Sequence, residues 1–210
     1  MQNIRYVFFD VGYTLVNEDE VWALRCREQA ETQEAKELGL SARQIYDEIV
    51  RASMAYQPQY RTVIKKFGFS QPAPYRHDRE KLYPDTIPVL RALSERYRLG
   101  VIANQTGGLD ERLKALQIAE YFSLVLSSWE YQIMKPDPRF FQIALERAGC
   151  AASEAVMIGD RLDNDICPAK AVGIQTIWIR QGFGGLQAPK SDAYRPDAEI
   201  GCLSELLRLL

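Results

Sequence analysis

The 210-residue chain is poor in several features, and each shortage narrows what it can do. It has one histidine, His77, set in the polar stretch Arg76-His77-Asp78-Arg79 and read as a surface residue. A His-centred catalytic triad is therefore not expected. The four cysteines, Cys26, Cys150, Cys167 and Cys202, lack CxxC spacing and read as reduced, mostly buried thiols of a cytoplasmic protein. No run of 18 apolar residues and no secretory signal is present, which argues against a membrane partner. Lys and Arg number 26 against 28 Asp and Glu, a net charge of −2. A basic face for nucleic acid is not expected from such a balance. There is no internal repeat and no low-complexity tract.

What remains is ordinary globular material, 47% hydrophobic, long enough for one full-size domain with a modest insertion. Its most informative residue is Asp10. The run Tyr6-Val7-Phe8-Phe9 reads as a buried strand, and it empties at Asp10 into Val11-Gly12-Tyr13-Thr14-Leu15. A second run, Ala155-Val156-Met157-Ile158-Gly159, ends in Asp160, with Asp163 and Asp165 close behind. Ligands of open α/β sheets bind beyond the carboxyl ends of strands, so two acidic strand ends distant in sequence can meet at one edge.

Strands are expected from Arg5 to Phe9, Leu99 to Ala103, Leu124 to Ser127, Ala155 to Ile158 and Thr176 to Ile179. Helical patterns lie between most of them: Thr86 to Arg96, Leu109 to Leu116, Pro138 to Ala148 and Asp165 to Val172. Asp137-Pro138 is a start signal, and Gly149 and Gly173 are stop signals. The alternation predicts an α/β fold with a mostly parallel sheet. Residues 17 to 82 break it. That segment carries no convincing strand; Glu18 to Gly39 reads as helix, Ser41-Ala42-Arg43-Gln44 opens a second and Thr62 to Phe67 suggests a third. A helical lid rooted beside Asp10 is expected, able to close over it.

Four segments stand in order: Phe9-Asp10-Val11-Gly12-Tyr13-Thr14-Leu15, Val101-Ile102-Ala103-Asn104, Met134-Lys135-Pro136-Asp137-Pro138, and Ile158-Gly159-Asp160 through Asn164-Asp165. Their order and spacing resemble the haloacid dehalogenase-like hydrolase superfamily, in its subgroup with a helical cap. The resemblance implies a Rossmann-like core at 1–16 and 83–210 and an all-helical cap at 17–82. It implies a Mg²⁺-dependent phosphatase in which Asp10 is the nucleophile and forms an aspartyl-phosphate. Asp160 matches the direct metal ligand, Asp165 the acid that holds the metal's waters, and the Gly12 carbonyl the remaining protein ligand. Hard oxygen donors suit Mg²⁺. Lys135 matches the lysine that pairs with the nucleophile, and Thr14 the threonine that braces the first loop. Asn104, with the loop Gln105-Thr106-Gly107, is expected against the substrate oxyanion. The partner implied is a small phosphorylated, or otherwise small anionic, substrate; monomer and homodimer are both open.

Two positions depart from the family. The second aspartate, two residues past the nucleophile, is Gly12, and the hydroxyl of the second segment is replaced by Ala103. General acid–base catalysis is worth about 10²–10⁴-fold and one oxyanion donor roughly 10²–10³-fold, so weak or restricted activity is expected. Tyr13 or a lid residue is left to supply the proton, and the sequence singles out neither. Two other readings stand beside the phosphatase: a metal-independent 2-haloacid dehalogenase, and a non-catalytic metal-binding regulatory domain. The acidic group Asp160 and Asp165 speaks against the first, and the joint presence of Asp10, Lys135, Asp160 and Asp165 against the second. Lys65 and Lys66 read as a charged helix face.

Overall fold

The computed structural model describes residues 3–210. Its elements in chain order are β1 (Tyr6–Phe9), β2 (Val16–Asn17), α1 (Asp19–Ala30), α2 (Gln33–Glu37), α3 (Ala42–Met54), α4 (Gln59–Phe67), β3 (Lys81–Leu82), α5 (Thr86–Ser94) and β4 (Arg98–Ala103). There follow α6 (Leu109–Ala115), β5 (Phe122–Ser127), α7 (Ser128–Tyr131), α8 (Pro138–Ala148), β6 (Ala155–Gly159), α9 (Cys167–Ala171), β7 (Gln175–Ile179), β8 (Ala198–Ile200) and α10 (Leu206–Leu209). Six strands form one parallel sheet in the order β5-β4-β1-β6-β7-β8.

β1 is the centre of this sheet because its side chains are apolar on both faces. Val7 and Phe9 join the cluster under α5, α6 and α10, with Val101, Ile158, Leu90, Leu113 and Leu206. Tyr6 and Phe8 join the opposite cluster with Phe140, Phe141 and Met157. All four residues of β1 are buried, the signature of a strand covered on both sides. β1 pairs with β4 on one side and β6 on the other, so the chain reverses its winding there. A crevice opens at such a point beyond the carboxyl ends. Asp10 follows β1 directly and is held by its N–H donating to the Ile158 carbonyl at 2.9 Å.

Between β2 and β3 the chain is helical and has its own apolar cluster, including Trp22, Ile45, Ile49, Tyr60 and Val63. The expected continuous helix from Glu18 to Gly39 is broken at Thr32, whose hydroxyl accepts from the Ala35 N–H and starts α2 anew. The expectation of no strand fails at the segment's edges: β2 and β3 pair antiparallel, Val16 opposite Leu82 and Asn17 opposite Lys81. Two residues are too few to produce an alternating pattern. α4 begins at Gln59, behind Pro58, rather than at Thr62. The capping box at Ser41 and Gln44 and the Asp137 cap of α8 form as expected. Asp165 lies in a π-helical turn, Leu162–Ile166, rather than in a regular helix. β8 and α10 were not anticipated, being three and four residues long. All four cysteines are free. No helix among the described residues is long and apolar enough to cross a membrane.

Candidate active site

A cavity of about 370 Å³ lies at the carboxyl end of β1, walled by the sheet loops on one side and by α1 on the other. Asp10, Gly12, Asn104, Gln105, Thr106, Lys135 and Asp160 all line it. Asp165 sits behind them, fully buried. Each of Asp10, Asp160 and Asp165 offers an oxygen within 4.8 Å of the other two.

Three acids at that spacing, two of them buried, repel one another, and two devices offset the repulsion. The first is Lys135, whose Nζ donates to Asp10 Oδ1 at 2.8 Å and to Asp165 Oδ1 at 2.6 Å. Burial alone would push this ammonium down, but the adjacent Asp10 and Asp165 carboxylates outweigh it and hold the proton above the ordinary lysine value. The second is backbone: the Arg161 N–H donates to Asp165 Oδ2 at 3.0 Å. Asp160 has neither. Its side chain is buried, and among the described residues none donates a hydrogen bond to its carboxylate. Burial, then Asp165 and Asp10, push its carboxyl well above the usual range. Asp165 is raised too, burial prevailing over the attraction of Lys135. An all-oxygen group whose buried Asp160 accepts no hydrogen bond among the described residues fits a hard divalent cation such as Mg²⁺.

Close packing fixes these acids. A Cβ on Gly159 would fall 2.4 Å from Cβ of Asp165, and one on Gly184 would fall 2.3 Å from Asp160 Oδ2 and 2.4 Å from its carbonyl oxygen. Trp178 Nε1 donates to that same carbonyl at 2.6 Å.

Two expected substrate contacts are used otherwise. Asn104 does not offer its amide to the cavity: Nδ2 donates to the Lys135 carbonyl and Oδ1 accepts the Lys135 N–H, both at 2.8 Å. The loop carrying Lys135 has no strand to pair with, so its polar groups need a side chain. The Gln105 N–H likewise donates to Ser128 Oγ at 3.0 Å rather than to an oxyanion. Ala103 ends β4 fully buried, and Thr106 stands three residues beyond at the cavity wall. Thr14 is buried, but its hydroxyl has no hydrogen-bond partner among the described residues; it engages Val11 through its N–H at 3.3 Å.

The lid contributes residues that sequence patterns could not orient. Arg25 lines the cavity, its guanidinium 3.6 Å from the centre of the Tyr60 ring and its Nε donating to the Ala73 carbonyl. Tyr60 lies beneath it in the helical core, Tyr56 donates to the Ala188 carbonyl, and Arg61 is exposed. Trp22 is buried, lines the cavity, and donates from Nε1 to Glu18 Oε2 at 3.0 Å. Glu18 itself was missed by sequence reasoning, since one acid in a Glu-rich segment carries no signal. Its Oε1 accepts from Tyr75 at 2.5 Å, and Arg112 stands 3.9 Å away, paired with buried Glu80 at 2.6 Å. Burial pushes the Glu18 carboxyl up to about 7, against those hydrogen bonds. His77, expected at the surface, is half exposed but bonded to Glu80 at 3.1 Å and lines the cavity. Tyr13, the sequence's other proton candidate, has its hydroxyl directed to Asp19 at 3.1 Å.

Comparison with known proteins shows the family. The haloacid dehalogenase-like hydrolase family profile matches residues 7–179. A glyceraldehyde 3-phosphate phosphatase of Methanopyrus kandleri is 33% identical over 226 residues, spanning 97% of this chain and 96% of that protein. Among solved structures, a HAD phosphatase from Thermococcus onnurineus superposes with a TM-score of 0.72 at 26% identity, over 98% of this chain and 97% of its own. A 2-haloacid dehalogenase from Pseudomonas syringae pv. Tomato DC3000 superposes with a TM-score of 0.64 at 27% identity over the same shares. The chain belongs to the haloacid dehalogenase-like hydrolase family.

Proposed function

We propose that this hydrolase is a Mg²⁺-dependent phosphatase of small phosphorylated substrates, working through an aspartyl-phosphate on Asp10. The observation that carries the reading is the group Asp10, Asp160 and Asp165 at the carboxyl end of β1, with Lys135 bridging Asp10 and Asp165. Asp10, Asp160 and Asp165 would hold the ion, and segment 17–82 would act as the cap. When bound, Mg²⁺ supplies positive charge against the phosphoryl oxygens and the attacking carboxylate.

A carboxylate is a weak nucleophile, so its position and its ionisation decide the rate. The Lys135 ammonium donates to Asp10 and fixes one of its oxygens. Asn104 in turn holds the Lys135 main chain at two atoms, so the ammonium does not have to be ordered at each turnover. An Asp10 oxygen then forms a bond to phosphorus as the bond to the leaving oxygen breaks, and water later releases phosphate from Asp10. On the cap side, the Arg25 guanidinium gives the cavity a cationic wall suited to an anionic substrate. Loss of the hydroxyl at Ala103 removes one phosphate donor and lowers the expected rate by roughly 10²–10³-fold.

A dehalogenase would share the nucleophile, and both Gly12 and the Pseudomonas structure invite that comparison. Against it, metal-free chemistry leaves Asp160 as a buried acid that accepts no hydrogen bond among the described residues. The test is phosphate release from glyceraldehyde 3-phosphate, acetyl phosphate and p-nitrophenyl phosphate, with Mg²⁺ and with EDTA. Mg²⁺-dependent release supports the reading. Chelator-insensitive halide release from a 2-chloroacid would replace it with the dehalogenase, and metal binding without turnover would replace it with a binding role.

A further inference from the structure

A phosphatase acting on an unactivated ester needs a proton for the leaving oxygen, and β1 ends without an acid at position 12. The space for one is nevertheless filled. A Cβ built on Gly12 falls 2.5 Å from Glu18 Oε1 and 2.9 Å from Glu18 Cδ. The Glu18 carboxyl therefore occupies the volume that a side chain at position 12 would enter, and it lines the same cavity as Asp10.

Glu18 is directed there by its surroundings. It is the N-cap residue of α1, yet its side chain makes no capping hydrogen bond. An acid at that position ordinarily accepts from the helix's own first-turn N–H groups. Here Trp22, one turn along α1, donates to Oε2, and Tyr75, from the far end of the helical segment, donates to Oε1. These bonds turn the carboxyl inward and hold it over Gly12. Gly12 and Glu18 are complementary: the glycine is what leaves room for the glutamate.

Resting on the phosphatase reading above, we infer that Glu18 is a catalytic residue that carries the proton between leaving group and water. In the first half, the Asp10 oxygen–phosphorus bond forms and the phosphorus–leaving oxygen bond breaks. The leaving oxygen keeps the electron pair and takes the proton of the Glu18 carboxyl. In the second half, water attacks phosphorus and gives a proton to the Glu18 carboxylate, the Asp10 oxygen–phosphorus bond breaks, and inorganic phosphate leaves. Glu18 is returned to its acid form. The acid thus comes from the lid side of the cavity rather than from the strand that carries the nucleophile.

The competing explanation is that Glu18 is only a buried acid satisfied by Tyr75, Trp22 and Arg112. The two differ in how the effect depends on the leaving group. Glu18→Gln keeps the size and the acceptor oxygen but cannot exchange the proton. The readout is kcat/KM, which reports the first half up to leaving-group departure; for glyceraldehyde 3-phosphate, whose alkoxide needs a proton, it should fall about 10²–10⁴-fold. The kcat/KM for p-nitrophenyl phosphate, whose phenolate leaves without one, should fall less than about tenfold, with Mg²⁺ affinity and melting temperature retained. Equal losses on both substrates, or no loss on either, would overturn the assignment while leaving Mg²⁺-dependent hydrolysis standing. Absence of phosphate release by the wild-type protein would instead remove the phosphatase reading and Glu18 with it. Should Glu18→Gln fold poorly, Gly12→Asp/Glu18→Ala decides: it moves the acid to the other side of the same space. Alkyl phosphate turnover well above that of Glu18→Ala supports the inference, and turnover no higher overturns it.

Discussion

Replacing Lys135 by methionine isolates the electrostatic problem this site has solved. The side chain is 2% exposed, and its ammonium lies 2.8 Å from Asp10 and 2.6 Å from Asp165. Methionine fills most of the volume, so little cavity is created and the loss is chiefly that of the charge. Three acids with oxygens within 4.8 Å then face one another with no cation between them. Removing one partner from a buried ion pair costs about 3–5 kcal/mol, and for a chain of this size each kcal/mol moves the melting temperature by roughly 2–4 °C. A fall of roughly 6–20 °C is expected by scanning calorimetry in EDTA near neutral pH. The fold holds the lysine proton more tightly than the unfolded chain, whose value is near 10.5. The contribution is therefore complete below that pH and is lost only in alkali as the folded group titrates. Mg²⁺ should return much of the loss, because a divalent cation replaces the missing charge. Lys135→Met/Asp165→Asn should be more stable than Lys135→Met alone, with a coupling of at least about 1 kcal/mol between residues in contact. A loss below about 1 kcal/mol that is indifferent to Mg²⁺ would refute the picture of three acids held together by one ammonium.

Two further substitutions test supporting residues. Asn104→Ala strips both side-chain hydrogen bonds from the Lys135 main chain. It should lower kcat by roughly ten- to hundredfold through misplacement of the ammonium, with Mg²⁺ affinity little changed in titration calorimetry. Gly184→Ala drives a methyl against the Asp160 backbone, which cannot yield as a side-chain end could. Mg²⁺ affinity should fall by about 10–100-fold, and an unchanged affinity would mean that Asp160 does not hold the ion.

Most of the sheet was legible because buried parallel strands are continuous apolar runs, and Tyr6–Phe9 and Ala155–Gly159 are such runs. The acids at their ends were legible for the same reason, each standing where a run stops. Sequence patterns carry less about elements of two to four residues: β2, β3, β8 and α10 take their shape from what they pack against. Side-chain direction was the larger loss. Asn104 follows β4 and was expected to face the substrate, but an amide with two free ends goes to unpaired backbone when it lies near. Glu18 is one glutamate in a Glu-rich stretch, and its role depends on Tyr75, 57 residues later, and on a vacancy at Gly12. Such meetings are set by tertiary packing and leave no periodic trace.

The central claim is that Asp10 carries the phosphoryl group. The direct measurement is to quench the enzyme during turnover of acetyl phosphate with Mg²⁺, reduce with borohydride, and sequence the peptide spanning residue 10 by mass spectrometry. An acyl phosphate reduces to homoserine, so the account predicts homoserine at position 10, dependent on substrate and Mg²⁺, and neither modification nor turnover in Asp10→Asn. Phosphate release with Asp10 unmodified, or sustained in Asp10→Asn, would contradict it.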